Sequence, residues 1–544
     1  MSDGASDAVT PDTVVVDGES LTPEDVEAVA RRGARVEVAE EARAAVVAAR
    51  ERVDEIVESG QAVYGLNTGF GELVDTRIEP SEVEQLQTNL LRSHASGAGR
   101  TLDAEEVRAM LLTRLNALAK GYSGVREVVV DYLATMLNER IHPVVRSRGS
   151  LGASGDLAPL AHLSVVLLGE GEATVASEAV GDDDSAPNGD GGRERLSGAD
   201  ALATAGLTPL TLAPKEGLAL INGTQLTTGI AALLVVDAER LCEAADAAGA
   251  LTTEVTMGTT ANCDPAVHRV RPHGGQAAVA EHVRALTADS EIVESHANCD
   301  RVQDAYSVRC LPQVHGAVRD AVAHLREAVA VELNSATDNP LVFDAREADS
   351  RATGTDDAVV ISGGNFHGEP LALRLDYLVS ALTELAAISE RRVDRTVNPN
   401  LQEDHLPPFL AADPGLDSGF MIPQYTAASL INEMRATGRP SMDNTPVSGG
   451  QEDHVSMSAT SALAAKSALS NARTVVAVEL LTGAQASEFV DDALSHGRGT
   501  AAVYELVREV SPPVTDDRSL DDDIEAVADA VAAGRLEERL ADAV

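Results

Sequence analysis

Gly149-Ser150-Leu151-Gly152-Ala153-Ser154-Gly155-Asp156-Leu157-Ala158-Pro159-Leu160-Ala161-His162 is the most informative stretch of this chain. Very small residues come first, and a helix-forming run follows. An isolated Ala-Ser-Gly is ordinarily a tight turn. A serine among glycines also suggests a hydrolase nucleophile. Gly152-Ala153-Ser154-Gly155 does not have the G-x-S-x-G spacing of a nucleophile elbow, however.

The rest of the chain sets the frame for that string. Its 544 residues allow two to four domains or one extended helical body. An apolar share of 44% marks a globular chain. Aromatics are 2% with no Trp, so the expected core is aliphatic. The net charge of −45 argues against a nucleic-acid partner, because phosphate binding needs clustered Lys and Arg. The acids are dispersed, and the only lysines are Lys120, Lys215 and Lys466. That combination reads as adaptation to high salt, where a Debye length of about 3 Å at 1 M screens self-repulsion. Cys242, Cys263, Cys299 and Cys310 form no CxxC and accompany no zinc-type His pair, so they are expected to be reduced, with no metal. The acidic start of the chain has no apolar signal region, and no apolar run reaches the ~18 residues of a membrane span. The expectation is a cytoplasmic chain with no membrane partner.

Helical patterning dominates. Residues 1–12 read as a frayed tail. Thr22-Pro23-Glu24-Asp25 is a helix start, with a Thr cap, Pro at the first position and acids in the first turn. Glu40 to Glu58 reads as helix, and a Gly-rich turn follows at residues 64–71. Leu226, Ile230, Leu233, Leu234 and Leu241 share one helical face. Leu371, Leu375, Leu378, Leu382 and Leu385 form a heptad-like seam. Residues 459–488 are an Ala-rich helical run. Long helices with narrow apolar seams predict a bundle. Two acidic stretches, about 178–194 and 344–358, read as solvated, mobile surface insertions without chemistry.

Read in full, the string at 149–162 closely resembles the signature of the aromatic amino acid ammonia-lyases. In that family Ala-Ser-Gly cyclises without any added cofactor to 4-methylidene-imidazol-5-one (MIO). The resemblance therefore implies MIO formed from Ala153, Ser154 and Gly155. The residue types suit that chemistry. The Gly155 nitrogen must attack the Ala153 carbonyl, and Gly has no Cβ to obstruct it. Ser154 must lose its β-hydroxyl as water to leave a methylene, and ring closure loses a second water.

The resemblance extends over roughly residues 20–510, through further strings in family order. Tyr64-Gly65-Leu66-Asn67-Thr68-Gly69-Phe70-Gly71 is similar to the loop that carries a catalytic Tyr. Arg92-Ser93-His94-Ala95 is similar to the next conserved loop. Glu216 to Thr224 resembles the segment that offers an Asn, here Asn222, to the substrate carboxylate or amine. Gln303-Asp304-Ala305-Tyr306-Ser307-Val308-Arg309-Cys310 resembles the segment that supplies Gln, Tyr and Arg. Asn334 to Pro340 and Gly363-Gly364-Asn365-Phe366-His367-Gly368 also match. The resemblance implies Tyr64 as the base for the β-proton, with its pKa lowered from about 10 by a nearby cation or helix N-terminus. It implies Arg309 as a bidentate clamp on the carboxylate. Gln303 and Tyr306 would line the MIO pocket, Tyr306 among the catalytic groups, and Phe366 would pack near the ring.

Substrate choice falls to Gln451-Glu452-Asp453-His454-Val455-Ser456-Met457. Members acting on phenylalanine or tyrosine usually carry an amide where Glu452 stands, and Glu there resembles the histidine-acting members. A carboxylate holds an imidazole N–H, which a phenyl ring cannot offer. Left unpaired against phenylalanine, it would cost binding. His94 would add a second contact to the imidazole. The implied reaction is elimination from L-histidine to trans-urocanate and ammonia, with attack on MIO by either the amine or the imidazole, and with Glu452 as the alternative base. The runner-up readings are a tyrosine or phenylalanine ammonia-lyase or an aminomutase, and, from another class, a non-catalytic helical scaffold. Ser448-Gly449-Gly450 departs from the family's usual Ser-Ala-Asn, and Ala305 from its usual Pro.

By resemblance the fold is mainly α, with an N-terminal domain at 13–213 carrying the MIO loop. A central helical bundle at 214–510 and a C-terminal helical segment at 511–544 follow. The family's homotetramers draw each active site from more than one subunit, and that arrangement is expected here.

Overall fold

The computed structural model describes residues 12–61, 63, 65, 82–176, 192–297, 301–349, 352–442 and 444–544. Tyr64, Cys299 and most of the 178–194 stretch lie outside the described residues.

The helix starts follow local chemistry. Helix Pro23–Ala30 begins with a reciprocal box: Thr22 Oγ1 accepts from the Asp25 N–H at 3.1 Å, and the Asp25 carboxylate accepts from the Thr22 N–H at 3.0 Å. Helix Glu40–Glu58 buries Ala42, Val46, Ala49, Val53 and Ile56, the helical spacing of one face. The Leu stripes lie on helices Gln225–Val255 and Glu369–Val397, and every stripe leucine is buried, whereas Leu373, off the stripe, is exposed. The Ala-rich run forms helix Ser458–Ser487.

The chain is mainly helical and groups into two compact units that interleave along the sequence. The first takes the described residues of Met1–Leu233, with Arg326–Leu375 and Arg439–Leu463. Besides helices it holds four small sheets of two or three strands. One of them brackets the 344–358 stretch, most of which is exposed or half-buried. Ala358–Ile361 pairs antiparallel with Leu341–Asp344 and with Thr353–Gly354. It buries Ala358 and Val360 against Val53, Ile56, Val63 and Val342. The β-branched run at 358–361 fits a pleated, half-buried surface whatever the acidity just before it. The far edge of the other insertion is likewise a strand, Arg193–Ser197, paired with Glu172–Ala176.

The second unit takes Leu234–Leu325, Asp376–Gly438 and Ala464–Val544. Its helices carry an aliphatic core that includes Leu241, Leu251, Leu325, Leu382 and Val475. Buried ionic groups run through that core. Asp246 accepts from His315 Nδ1 at 2.7 Å, Arg319 at 2.6 Å and His282 Nδ1 at 3.1 Å. Glu479 holds Arg392 at 2.5 and 2.8 Å and accepts from Ser389 Oγ at 2.6 Å. Helices Asp521–Ala532 and Arg535–Ala541 pack on Arg498–Val510.

Candidate active site

The Ala-Ser-Gly loop lies in the first unit, between strand Arg146–Arg148 and helix Leu157–Ser164. Distant segments hold it down. The Gly152 carbonyl accepts from the Gly368 N–H at 3.0 Å and from Ser456 Oγ at 3.0 Å, and the Leu151 carbonyl from the Met457 N–H at 2.7 Å. Gly155 has φ +76° and lies against the backbone of Gly223, whose oxygen accepts from the Asp156 N–H at 2.7 Å. A Cβ at 155 would stand 2.1 Å from that oxygen, so only glycine fits.

Ser154 is gripped from two sides. Its Oγ donates to Glu452 Oε1 at 3.1 Å, and its carbonyl accepts from Asn222 Nδ2 at 3.0 Å. Asn222 ends helix Glu216–Ile221, where its backbone turns extended. Its own carbonyl accepts from Arg114, whose guanidinium is fully buried and lowered by that burial to about 10. The Asn222 Oδ1 is buried with no partner among the described residues, which marks it as an acceptor awaiting a donor. Asp156, the next residue after the loop, is fully buried. It accepts from Ser150 Oγ at 2.7 Å and from the Thr227 N–H at 2.9 Å, and burial raises its carboxyl above the usual range.

Glu452 reaches Ser154 from a tight turn. Val447 and Glu452 pair as a β-bridge, closed by Ser448, Gly449 and Gly450 at φ +53°, +67° and +95°. Asn444 then fixes the segment that follows: its Oδ1 accepts from the Val455 N–H at 3.0 Å and its Nδ2 donates to the Asp453 carbonyl at 2.9 Å. A cavity of about 570 Å³ opens here, lined by Ala153, Ser154, Asn222, Phe366 and Glu452 among others.

The sequence pattern of the aromatic amino acid lyases matches residues 21–509. The chain belongs to that family. A relative named probable histidine ammonia-lyase, from Halobacterium salinarum, is 63% identical over 98% of this chain and 99% of its own length. The crystal structure of tyrosine aminomutase from Streptomyces globisporus superposes with a TM-score of 0.88 at 38% identity, covering 98% of this chain and 99% of that one. Histidine ammonia-lyase from Trypanosoma cruzi superposes at 0.86 with 39% identity, covering 98% and 96%.

Among the residues expected to serve this lyase's site, Ala153, Ser154, Asn222, Phe366 and Glu452 meet at the cavity, with Gly155 closing the loop. His94 is not among the cavity's described lining residues. Its Nδ1 faces the Leu90 carbonyl at 2.9 Å and Ser93 Oγ at 3.0 Å. Gln303, Tyr306 and Arg309 belong to the second unit, where they form a cluster of their own on and beside the short helix Tyr306–Arg309. Arg309 donates to Gln303 and its guanidinium lies 5.8 Å from the Tyr306 ring centroid, and Tyr306 is 73% exposed. Tyr64 lies outside the described residues.

The cavity also holds residues that sequence reasoning did not single out. Asn339 is buried at its wall, and its Oδ1 accepts from the Gly363 N–H at 2.8 Å, which leaves its Nδ2 as the donor end. His367 and His454 line it too, their rings stacked at 5.6 Å. All three sit inside the strings Asn334–Pro340, Gly363–Gly368 and Gln451–Met457, so the strings that carry the resemblance contain them.

Proposed function

We propose that this lyase eliminates ammonia from L-histidine to give trans-urocanate, on MIO formed from Ala153, Ser154 and Gly155. The observation that carries the reading is Glu452 Oε1 standing 3.1 Å from Ser154 Oγ on the cavity wall, a carboxylate where a hydrocarbon ring would meet no reward. The name of the 63% identical relative supports the same substrate.

The residues fit the group. Gly155 leaves its nitrogen unobstructed by a Cβ at a left-handed turn, Ser154 carries the hydroxyl to be lost, and Asn222 orients the Ser154 carbonyl. Once formed, MIO supplies an electrophilic alkene that makes a poor leaving group or a weakly acidic C–H workable. The chain's own groups bind and orient. Glu452 accepts the imidazole N–H. The buried Oδ1 of Asn222 accepts from the ammonium, and Asn339 Nδ2 donates to the carboxylate. Phe366 provides an apolar wall. Tyr64 takes the β-proton, with Glu452 as the alternative base. As the proton leaves Cβ, the Cα–N bond breaks and the double bond forms.

No Lys or Arg is among the cavity's described lining residues, so the substrate carboxylate lacks a cationic partner there. Arg309, with Gln303 and Tyr306, supplies it in a homotetramer whose sites are shared between subunits; the exposure of the trio supports this reading. His94 is the second imidazole contact. The protein works in the cytoplasm of a salt-adapted cell, in keeping with its charge.

The test is ultraviolet absorbance after L-histidine is added in molar KCl, with L-tyrosine and L-phenylalanine in parallel. Growth of the urocanate band with histidine alone is expected. Cinnamate or coumarate without urocanate would overturn the substrate, and silence with all three would favour the scaffold reading. Mass spectrometry of a peptide spanning 153–155 should show the loss of two waters, and an unmodified mass would defeat MIO.

A further inference from the structure

The helix Tyr306–Arg309 is only four residues long. A helix that short cannot satisfy its own carbonyls, since the last four of any helix lack intrahelical partners. Here three successive carbonyls are met by side chains from elsewhere in the second unit. Arg392 Nη1 donates to the Ser307 carbonyl at 3.3 Å, and Asn262 Nδ2 donates to those of Val308 and Arg309 at 3.3 and 3.0 Å.

Both donors are themselves fixed. Arg392 is fully buried and doubly bonded to Glu479. The Asn262 carbonyl faces His268 Nε2 at 3.1 Å, and His268 Nδ1 faces Gln276 Nε2 at 2.9 Å. The Asn262 Oδ1 is buried without a partner among the described residues, while its NH2 is aimed at the turn. The stretch just before the helix is pinned as well. Asp304 accepts from the Thr259 N–H at 2.9 Å and from Arg301 at 3.1 Å.

We infer that Asn262 is a positioning residue for this lyase: with Arg392 behind it, its amide holds the carbonyls of Val308 and Arg309 and so sets where Arg309 and Tyr306 present their side chains. The inference rests on the proposed role of Arg309 as the carboxylate clamp. An exposed Arg on a free four-residue turn would pay conformational entropy each time it met a substrate carboxylate. A held turn avoids that cost. Asn262 is neither among the cavity's described lining residues nor in the Ala153-Ser154-Gly155 loop. Its removal acts on substrate binding through Arg309 and leaves the Ala-Ser-Gly loop as it is. Removing Arg392 would strand Glu479 in the bundle, so Asn262 is the residue to change.

The experiment compares Asn262→Ala, Arg309→Gln and the double variant as full chains in molar KCl. It reads KM and kcat for L-histidine, the mass of the 153–155 peptide and the melting temperature. Two lost hydrogen bonds predict a rise in KM of roughly tenfold for Asn262→Ala, with a smaller change in kcat. The peptide mass should match that of the parent. The double variant should be no worse than Arg309→Gln alone, because an unclamped turn has nothing left to misplace. A parental KM in Asn262→Ala, or penalties that multiply in the double variant, would overturn the inference while leaving the proposed function standing. Parental kinetics in Arg309→Gln would remove the role of Arg309, and this inference with it. If Asn262→Ala does not fold, Asn262→Asp keeps the shape but turns an acceptor on two carbonyls, and the same rise in KM is expected. An unchanged KM there would overturn the inference equally.

Discussion

Two glycines in this chain share nearly the same positive φ and differ in their surroundings, which separates conformational strain from steric conflict. Gly155 has φ +76° and Gly206 φ +69°. An alanine at either position must take the left-handed conformation, at about 1–2 kcal/mol. At Gly206 nothing lies within 4 Å of the new Cβ, so that strain is the whole cost. At Gly155 the Cβ meets the Gly223 oxygen at 2.1 Å, its carbonyl carbon at 2.4 Å and its nitrogen at 2.6 Å. All three are backbone atoms and cannot rotate away. Relief requires Gly223 to retreat, which pulls on the 2.7 Å bond from the Asp156 N–H and on the neighbouring Asn222. Overpacking of this kind adds about 1–3 kcal/mol. Gly206→Ala should therefore lose about 1–2 kcal/mol, Gly155→Ala about 2–5 kcal/mol, and only the second should fail to dehydrate its 153–155 peptide. Thermal unfolding and peptide mass spectrometry on the two variants provide the readout. Equal destabilisation, or a dehydrated peptide in Gly155→Ala, would refute the packing argument.

Three further outcomes are expected. Glu452→Gln should lower kcat/KM for histidine roughly 10- to 100-fold, the worth of a charge-assisted hydrogen bond; near-parental turnover would show that Glu452 is not the selector. Burial alone would raise the Asp246 carboxyl, but hydrogen bonds from His282 and His315, with Arg319 beside them, hold it below the ordinary range. Its stabilising contribution is then present above the unfolded value of about 3.9 and is lost as pH falls from there, so Asp246→Asn should lower stability at neutral pH and flatten the acid limb, and an unchanged acid limb in chemical denaturation would count against it. The melting temperature should climb between 0.1 M and 1 M KCl as the Debye length shrinks from about 10 to 3 Å, and a flat profile would remove the reading of the −45 charge as salt adaptation.

Much of the helical framework was legible because its causes are local. The Thr22 box, the run Glu40–Glu58 and the leucine stripes each depend on residues within a turn or two of one another. The sheet at 341–361 was missed because acidic composition upstream outweighed the short β-branched run 358–361 in the reading, whereas in the fold that run finds Val53 and Ile56 to cover it. The site divides the same way. Residue types in the sequence singled out Ala153-Ser154-Gly155 and Glu452, and the fold brings them to one cavity. Their meeting is a contact across 298 positions of sequence, and no periodicity encodes it. Asn339 was invisible as a pocket donor because the bond that orients its amide comes from Gly363 on another segment.

The departure at Ser448-Gly449-Gly450 shows what such a site demands of its sequence. Read alone, those residues only put pocket shape in question. In the fold they supply three successive left-handed positions that let Val447 and Glu452 pair across the turn. Glycine meets that demand at 449 and 450 without strain, while Ser448 carries a cost of about 1–2 kcal/mol that the surrounding bonds must hold. The carboxylate proposed for substrate choice thus stands on a strained turn, with Asn444 bracing the segment beyond it. Strain of this kind persists where the surroundings over-determine the backbone, and here it stands immediately before the side chain whose carboxylate accepts from Ser154 Oγ. The selectivity proposed for Glu452 would therefore be a property of the turn as much as of the residue. A carboxylate placed at the same sequence position on a relaxed loop would have the right chemistry and would miss the atom it serves.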